Sequence, residues 1–360
     1  MNNLDIIKEI FKNLDLQYQI RLLQLNKYLH HNLQITDLYN IDQKWYLSLT
    51  EDILLNYDQV EKLKLNYNTV VKNINYLTKL KILDIDTALL ITDYDIQDLN
   101  LIKLNTAHNK KITKISHMTN LKKLNCSGYC CGIAQDEINK LDLTKLIFCS
   151  NIKIKNISHL TNLKKLHCMA SNINDEQLKN MNLLELDALG CKFIKNISHL
   201  TNLKKLNIGH DCSVSDEDIK NLNLIDLQAY NNTKIKNINN MTSLKILNCC
   251  GTCGVSDENI RNLDLFELLA EYNPNIKQIS HLTNLEILNC AGYICGITDE
   301  NIKNNLKLIM LRADNNPNIK NISHLTNLEF LNCANQFEIT PNDIKGLKIT
   351  KLISYGNPNF

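Results

Sequence analysis

The chain has 360 residues, of which 44% are hydrophobic and 22% charged, and its formal net charge is +2 at pH 7. Such a composition predicts an ordered chain with enough apolar side chains for a large core. A charge near zero gives no overall attraction to nucleic acid or to an anionic membrane. The N-terminus lacks the basic flank and cleavage site of a secretion signal, and no apolar run approaches the ~20 residues that span a bilayer. We therefore expect a cytoplasmic protein that binds neither nucleic acid nor membrane.

Residues 1–48 carry apolar side chains at the spacing of amphipathic helices. The spacing predicts three short helices, with breaks near residues 15–17 and 25–26, and residues 49–58 form a predicted connector. From the pattern alone, these helices would cap the open end of a repeat array. The apolar positions of the first two predicted helices are Leu4, Ile7, Ile10, Phe11, Leu14, Ile20 and Leu23.

Residues 59–360 repeat a single phrase, ISHLTNLEIL, which begins at Ile279. Its seven copies, two of them degraded, start 40 to 43 residues apart, and each period contains two LxxL units of 20 to 23 residues. A fixed period of this kind is typical of a solenoid, and the unit resembles the leucine-rich repeat, which implies one short strand per unit. We count fifteen units, beginning at Val60, Leu80, Leu101, Leu121, Leu143, Leu163, Leu183, Leu203, Leu224, Leu244, Leu265, Leu285, Leu308, Leu328 and Ile349.

Side chains alternate between the two faces of a strand, so positions one, four and six of each unit should point inward, and positions three and five outward. Position six alternates between cysteine (Cys126, Cys168, Cys249, Cys290, Cys333) and alanine (Ala188, Ala229, Ala270, Ala313). Segments such as ITDENI from Ile297 or ITPNDI from Ile339 predict short outer helices after the cysteine strands. Asparagine at position nine predicts a hydrogen-bonded ladder after the alanine strands. We expect an α/β, right-handed solenoid of fifteen parallel strands.

The thirteen cysteines, an odd number with five in one core column, favour a reducing compartment over a disulfide framework. Cys250 and Cys253 form a CxxC pair, but no second pair follows at the spacing of a zinc finger. A histidine column recurs in every second unit, about 10 Å apart if strands stack at ~4.8 Å, which is too far for one metal ion. We therefore expect structural thiols, no cofactor, no metal and no catalytic residue; a metal or enzymatic role is the alternative.

Residues 4–33 resemble an F-box in the order and spacing of their apolar positions. Leu4 begins the first apolar helix, Ile20 and Leu23 lie in the second, and Trp45 fits a tryptophan that often follows the motif. Two departures are Asp5, where the family has proline, and Gln19, where it has an acidic residue. An F-box joined to leucine-rich repeats is a familiar pairing. In its Asn-, Ile- and Lys-rich style, the chain resembles F-box proteins of this kind encoded by giant viruses of amoebae.

The resemblance implies a substrate adaptor of a cullin–RING (SCF-type) ubiquitin ligase that performs no chemistry itself. Its F-box helices would bind the Skp-type adaptor of the cullin complex, and its repeats would hold a protein substrate. We expect a monomer in the cytoplasm, that of the host cell if the protein is viral. The alternative is a protein-interaction scaffold whose N-terminal helices only cap the solenoid and have no part in ubiquitination.

The outward positions change character along the repeats. Position three is mostly lysine at first (Lys62, Lys103, Lys123, Lys145, Lys165, Lys205), and acidic residues follow at Glu185, Asp187, Asp226 and Glu267. Apolar residues dominate toward the C-terminus, and exposed apolar surface of that extent is typical of a binding site. The predicted substrate site on the concave face comprises Tyr230, Ile246, Leu269, Ile287, Met310, Phe330, Ile353 and Tyr355. The lysines would steer an acidic partner; nucleic-acid binding is the alternative for this column.

Overall fold

The computed structural model describes residues 13–25, 33–39, 47–88, 90–336 and 338–360. The chain divides into two compact units, unit 1 (Met1–Leu163) and unit 2 (Lys164–Phe360). Both units are built of leucine-rich repeats, as the sequence predicted. In the described part of the chain, no helix combines the length and the apolar character that a membrane span requires.

Within its described ranges, unit 1 contains six parallel strands, each paired with the next along the chain. The strands are β1 (Asp37–Leu38), β2 (Lys62–Lys64), β3 (Ile82–Asp84), β4 (Lys103–Asn105), β5 (Lys123–Asn125) and β6 (Lys145–Ile147). The helices are α1 (Leu16–Leu25), α2 (Glu51–Leu54), a 3-10 turn (Asp93–Asp95) and α3 (Gln135–Ile138).

Unit 2 repeats the same plan with ten three-residue parallel strands in its described residues, again paired in chain order. They are β7 (Lys165–His167), β8 (Glu185–Asp187), β9 (Lys205–Asn207), β10 (Asp226–Gln228), β11 (Ile246–Asn248), β12 (Glu267–Leu269), β13 (Ile287–Asn289), β14 (Met310–Arg312), β15 (Phe330–Asn332) and β16 (Lys351–Ile353). Four short helices follow alternate strands: α4 (Asp175–Leu178), α5 (Asp216–Ile219), α6 (Asp257–Ile260) and α7 (Asp299–Ile302).

The core consists of the inward positions that the alternation of strand side chains predicted. In a representative unit, Leu285, Leu288 and Cys290 are all fully buried. Each buried leucine contributes roughly 1.5–3 kcal/mol, and only the stacking of neighbouring units removes it from water. The position-six cysteines and alanines are buried as predicted, and so are the larger side chains that other units carry there, such as Phe148 and Ile208. All thirteen cysteines lie in the described ranges as thiols.

The asparagine ladder at position nine is confirmed. Asn273 is fully buried, and its Nδ2 donates to the carbonyl oxygen of Cys249 at 2.6 Å. Its Oδ1 accepts from the backbone nitrogen of Asn275 at 2.9 Å. Asn151 makes the equivalent bonds in unit 1, to the carbonyl of Cys126 at 2.8 Å and from the nitrogen of Lys153 at 3.1 Å. Each amide thus satisfies backbone groups that the turn would otherwise bury without partners.

The outer helices follow the cysteine strands with two exceptions: α5 follows β9, whose position six is Ile208, and no helix follows β15 in the described residues. Ser256 and Thr298 cap α6 and α7 in capping boxes, which satisfy the first backbone N–H groups. The predicted helix from Ile339 is wrong, because residues 341–346 form turns. Thr340 still bonds Asp343, but the backbone bonds there join residues three apart, and Gly346 follows at a φ of 92°. Bonds of this spacing are those of successive turns and not of an α-helix, and the left-handed Gly346 ends the segment.

The prediction of fifteen strands missed the first strand, β1. Strand β1 lies inside residues 1–48, which were predicted to be helical, and pairs with β2 through Asp37 and Leu38. Ile35 and Leu38 are 2% and 1% exposed, so this short segment covers the apolar edge of the first repeat. The sheet therefore begins about one repeat earlier than the predicted boundary at residue 59.

Candidate binding surfaces

The outward side chains form rows because the strands pair in register. In unit 2, residues at position three face one another in the order Ile246, Glu267, Ile287, Met310, Phe330 and Lys351 along β11 to β16. Neighbouring members of such a row are separated by one strand spacing, ~4.8 Å. The nearest neighbours of each outward side chain are therefore the residues at the same position of the preceding and the following repeat.

Three predicted substrate-site residues come together in this row. Ile287, Met310 and Phe330 occupy adjacent strands, and each is half-buried; we call these three residues the apolar row. Two cations flank its end, since Arg312 Cζ lies 5.8 Å and Lys351 Nζ 5.4 Å from the centre of the Phe330 ring. Both distances allow a cation–π attraction. The surface thus combines apolar area with positive charge.

The other predicted members lie around or outside the apolar row. Leu269 is one strand from Ile287 but at position five, and Glu267 separates Ile246 from the row. Ile353 pairs with Asn332 at position five of β16. Tyr355 is 69% exposed, whereas the Tyr230 ring packs edge-on against His210 at 5.0 Å. The predicted site is therefore a short row with scattered neighbours.

The first strands of unit 2 carry alternating charges at position three. Lys165 Nζ lies 2.7 Å from Glu185 Oε2, and Lys205 Nζ lies 3.8 Å from Asp226 Oδ2. Partial burial acts to raise the pKa of Glu185, but hydrogen bonds from Lys165 and His167 outweigh it and lower that pKa. This part of the row neutralises itself within the fold.

Position three of unit 1 has a different charge pattern. Lys103, Lys123 and Lys145 face one another on β4, β5 and β6. Lys103 Nζ lies 3.2 Å from the Tyr39 hydroxyl and 4.8 Å from the centre of its ring. Within the described ranges, no carboxylate lies at ion-pair distance from any of these three lysines. We call them the lysine row.

One exposed apolar column escaped the sequence analysis. In the alanine units of unit 2, position two carries Leu184, Ile225, Phe266 and Ile309, which are 44%, 43%, 42% and 37% exposed. The intervening units place Lys204, Lys245 and Glu286 at this position. Because charged residues separate its members, the column forms no continuous apolar surface. The signal was present in the LxxL phrases, where position two is apolar in every second unit.

The predicted adaptor-binding residues lie mostly outside the described ranges. Leu4, Ile7, Ile10 and Phe11 precede residue 13. Leu14 and Ile20 are partly exposed, and Leu23 lies on α1. The involvement of these seven residues in adaptor binding stays a prediction.

The histidine column has a structural role in the repeats. The Nε2 atoms of His159, His199 and His281 each lie 3.0 Å from a carbonyl oxygen, that of the last residue of α3, α4 and α6 respectively. A ring N–H that donates there satisfies a carbonyl at the end of a helix. Among the described residues, no three His, Cys, Asp or Glu side chains are grouped to hold a metal ion.

The core thiols fall into two groups, because the hydrogen bond with the Cys168 thiol lowers the pKa of Cys191 to about 7, whereas burial has the opposite effect on most of the others. Burial raises the pKa of Cys126, Cys249 and Cys290 well above the usual value, so these groups stay protonated. Burial likewise raises the pKa of Cys253 in the CxxC pair to about 11 and that of Cys250 to about 12. Their surroundings match the structural role that the sequence predicted.

No protein-family model and no curated protein matches this sequence. Among solved structures, the functional domain of InlJ from Listeria monocytogenes, which includes a cysteine ladder, is 21% identical over 83% of this chain and 68% of its own, with a TM-score of 0.48. An internalin (inlF) from the same organism is 23% identical over 84% and 88% of the two chains, with a TM-score of 0.45. The structure of the Rad7 and Elc1 complex in yeast is 16% identical over 79% of each of the two chains, with a TM-score of 0.48. At these levels no functional residue is transferred to this chain.

Proposed function

We propose that this chain is a protein-binding repeat protein and that the apolar row of unit 2 holds a protein partner. The observation that carries the proposal is the placement of Ile287, Met310 and Phe330 on three adjacent outward positions, each half-exposed. Exposed apolar surface of this kind is typical of an interaction site. Phenylalanine, methionine and arginine are also enriched at protein interfaces, and Arg312 lies beside the row.

The partner we propose is the substrate of a cullin–RING ubiquitin ligase. The resemblance of residues 4–33 to an F-box supports this role, as does α1, which covers the second predicted helix. An adaptor of this kind acts by proximity, because it raises the effective concentration of substrate lysines near the charged enzyme. Leu33, Ile35 and Leu38 bury apolar surface at the first repeat. A capping role for residues 33–38 would leave the preceding helices available for the Skp-type adaptor.

Quantitative affinity purification with the full chain tests the apolar row. Met310→Ala with Phe330→Ala should reduce recovery of the partner about tenfold, because large interface side chains each contribute more than ~1 kcal/mol. Ile225→Ala with Phe266→Ala is the matched control, since these residues are also apolar and are more exposed, but lie outside the row. Equal recovery of every partner by both double variants would contradict this site.

Calorimetric titration with a purified Skp-type adaptor tests the ligase role separately. The wild-type chain should bind, and Ile10→Asp with Leu14→Asp should abolish binding without lowering the melting temperature of the repeats. If the wild-type chain does not bind, the scaffold whose N-terminal helices only cap the repeats becomes the better description. The partner held by the apolar row is unaffected by that result.

A further inference from the structure

The lysine row of unit 1 is an unfavourable arrangement for the isolated chain. Lys103 pairs with Lys123, and Lys123 with Lys145, in direct register on adjacent strands. Like charges that face one another across strands destabilise a sheet. Lys123 is exposed and Lys145 half-buried, so both ammonium groups can reach solvent. In the described residues, the row gains no compensation from a carboxylate.

The neighbouring outward positions do not supply the missing charge either. Position five next to the row holds Asn105, Asn125 and Ile147. Asn125 Oδ1 already accepts from the Ser127 hydroxyl at 2.7 Å. On β3, Asp84 accepts from Asn105 at 2.8 Å and from the Tyr39 hydroxyl at 3.3 Å. The polar groups beside the lysines are thus engaged with one another.

Unit 2 shows that the repeat can neutralise the same position. There, Glu185 and Asp226 alternate with Lys165 and Lys205, and the pairs lie 2.7 and 3.8 Å apart. A lysine at position three therefore needs no external counter-ion when acidic residues occupy the adjacent units. The absence of this alternation among three successive units of unit 1 is specific to that surface.

We propose that the lysine row binds a carboxylate-rich segment of a partner protein. The row spans two strand spacings, about 9.6 Å, which an extended segment covers with about three residues at ~3.3 Å each. Ammonium groups on flexible stems act as separate point charges, which suits carboxylates spaced along a chain, and the row has no guanidinium fork to hold one phosphate through two hydrogen bonds. A nucleic-acid surface would also extend over a longer basic stripe than three lysines. A short acidic stretch is the ligand that fits this length and charge.

This inference depends neither on the ligase role nor on the apolar row of unit 2. It concerns a separate surface with its own ligand class. The two surfaces can therefore be tested one at a time in the full chain.

Fluorescence anisotropy with a labelled peptide that carries a central Glu-Asp-Glu-Asp sequence tests the proposal. The full chain should bind this peptide at low salt, and binding should weaken as salt rises, because the contact is between exposed charges. Lys123→Gln with Lys145→Gln should weaken binding about tenfold, as expected for the loss of two exposed ion pairs. Lys165→Gln with Lys205→Gln, which removes the same charge from unit 2, should leave the affinity within about twofold.

Thermal unfolding without peptide provides a second measurement that is independent of the probe. Lys123→Gln with Lys145→Gln should raise the melting temperature, because it relieves repulsion between facing lysines. Lys165→Gln with Lys205→Gln should lower it, since these lysines hold ion pairs within the fold. A variant that failed to fold would show as a large loss of melting temperature in either pair.

Four results would overturn the proposal or its premise. The first is equal binding of a peptide in which Gln and Asn replace the acidic residues. The second is acidic-peptide binding that Lys123→Gln with Lys145→Gln leaves unchanged. The third is tighter binding of a twelve-nucleotide oligouridylate that the same double variant abolishes, which would assign the row to RNA. The fourth is a lower melting temperature for Lys123→Gln with Lys145→Gln, which would show that these lysines do not destabilise the folded chain.

Discussion

The two units share an interior and differ at the surface. The inward leucines, the position-six side chains and the asparagine ladder are buried alike in both units, although position six is often large in unit 1 (Leu65, Ile85, Phe148) and mostly cysteine or alanine in unit 2. At position three, however, unit 1 carries the lysine row, whereas unit 2 carries alternating ion pairs and then the apolar row. The comparison teaches that stacking constrains only the inward positions. The outward positions are free to differ, and their differences indicate function.

The largest expected effect tests the shared interior. Leu124→Ala in unit 1 and Leu288→Ala in unit 2 remove side chains that are 1% and 0% exposed. Each should lower the free energy of unfolding by about 2–5 kcal/mol, because a cavity opens in a stacked core. Urea denaturation of both variants measures the two losses. A loss below ~1 kcal/mol in only one unit would mean that the two interiors are not equivalent.

The asparagine ladder should give the next largest effect. Asn151→Ala and Asn273→Ala each leave a buried carbonyl and a backbone N–H without their partner. We expect each substitution to cost about 1–3 kcal/mol in the free energy of unfolding. Asn284→Ala is the control, because this exposed amide bonds only to side chains, donating to Asp264 and accepting from Lys307. If all three variants lost the same free energy of unfolding, the ladder would have no special structural role.

Reversing one charge in each unit should change stability by a smaller amount, and the two changes should have opposite signs. Lys123→Glu introduces alternating charges into the lysine row and should stabilise the chain by about 0.2–1 kcal/mol. Glu185→Lys removes the partner of Lys165 and should destabilise it by a similar amount. Melting temperatures at low salt measure the two shifts, and both should shrink in 1 M salt because of screening. Shifts of the same sign would show that facing charges do not explain the difference between the rows.

The smallest expected effect is a difference in acid stability. The folded-state pKa of Glu185 is lowered by hydrogen bonds from Lys165 and His167 that outweigh the effect of burial. Its contribution to stability is therefore present above the pKa of the unfolded chain and is lost as pH falls through the folded pKa. Glu185→Gln should flatten the decline of stability between about pH 5 and pH 3. Lys123→Gln should leave that decline unchanged, since it removes no carboxylate and no partner of one.

The repeat period alone determined most of the fold. Alternation within LxxLxC phrases identified the buried leucines and cysteines, and Asn273 at position nine was identified as a ladder residue from its place in the unit. The short outer helix in the segment from Ile297 was predicted in the same way. These features are local, since each depends on residues a few positions apart, and fifteen near-copies reinforce every local signal.

Only the tertiary structure decided which outward residues meet. Glu267 separates Ile246 from the apolar row, and Glu185 is the acid that neutralises Lys165. Both facts arise because the strand register places residues about twenty positions apart in sequence side by side. Strand β1 escaped prediction since a two-residue strand has no periodicity of its own and forms against the exposed edge of β2. The turns at 341–346 likewise depend on backbone geometry at Gly346, which the helix-like sequence does not reveal. A repeated sequence fixes what each unit buries, whereas pairing between units decides what its surface presents.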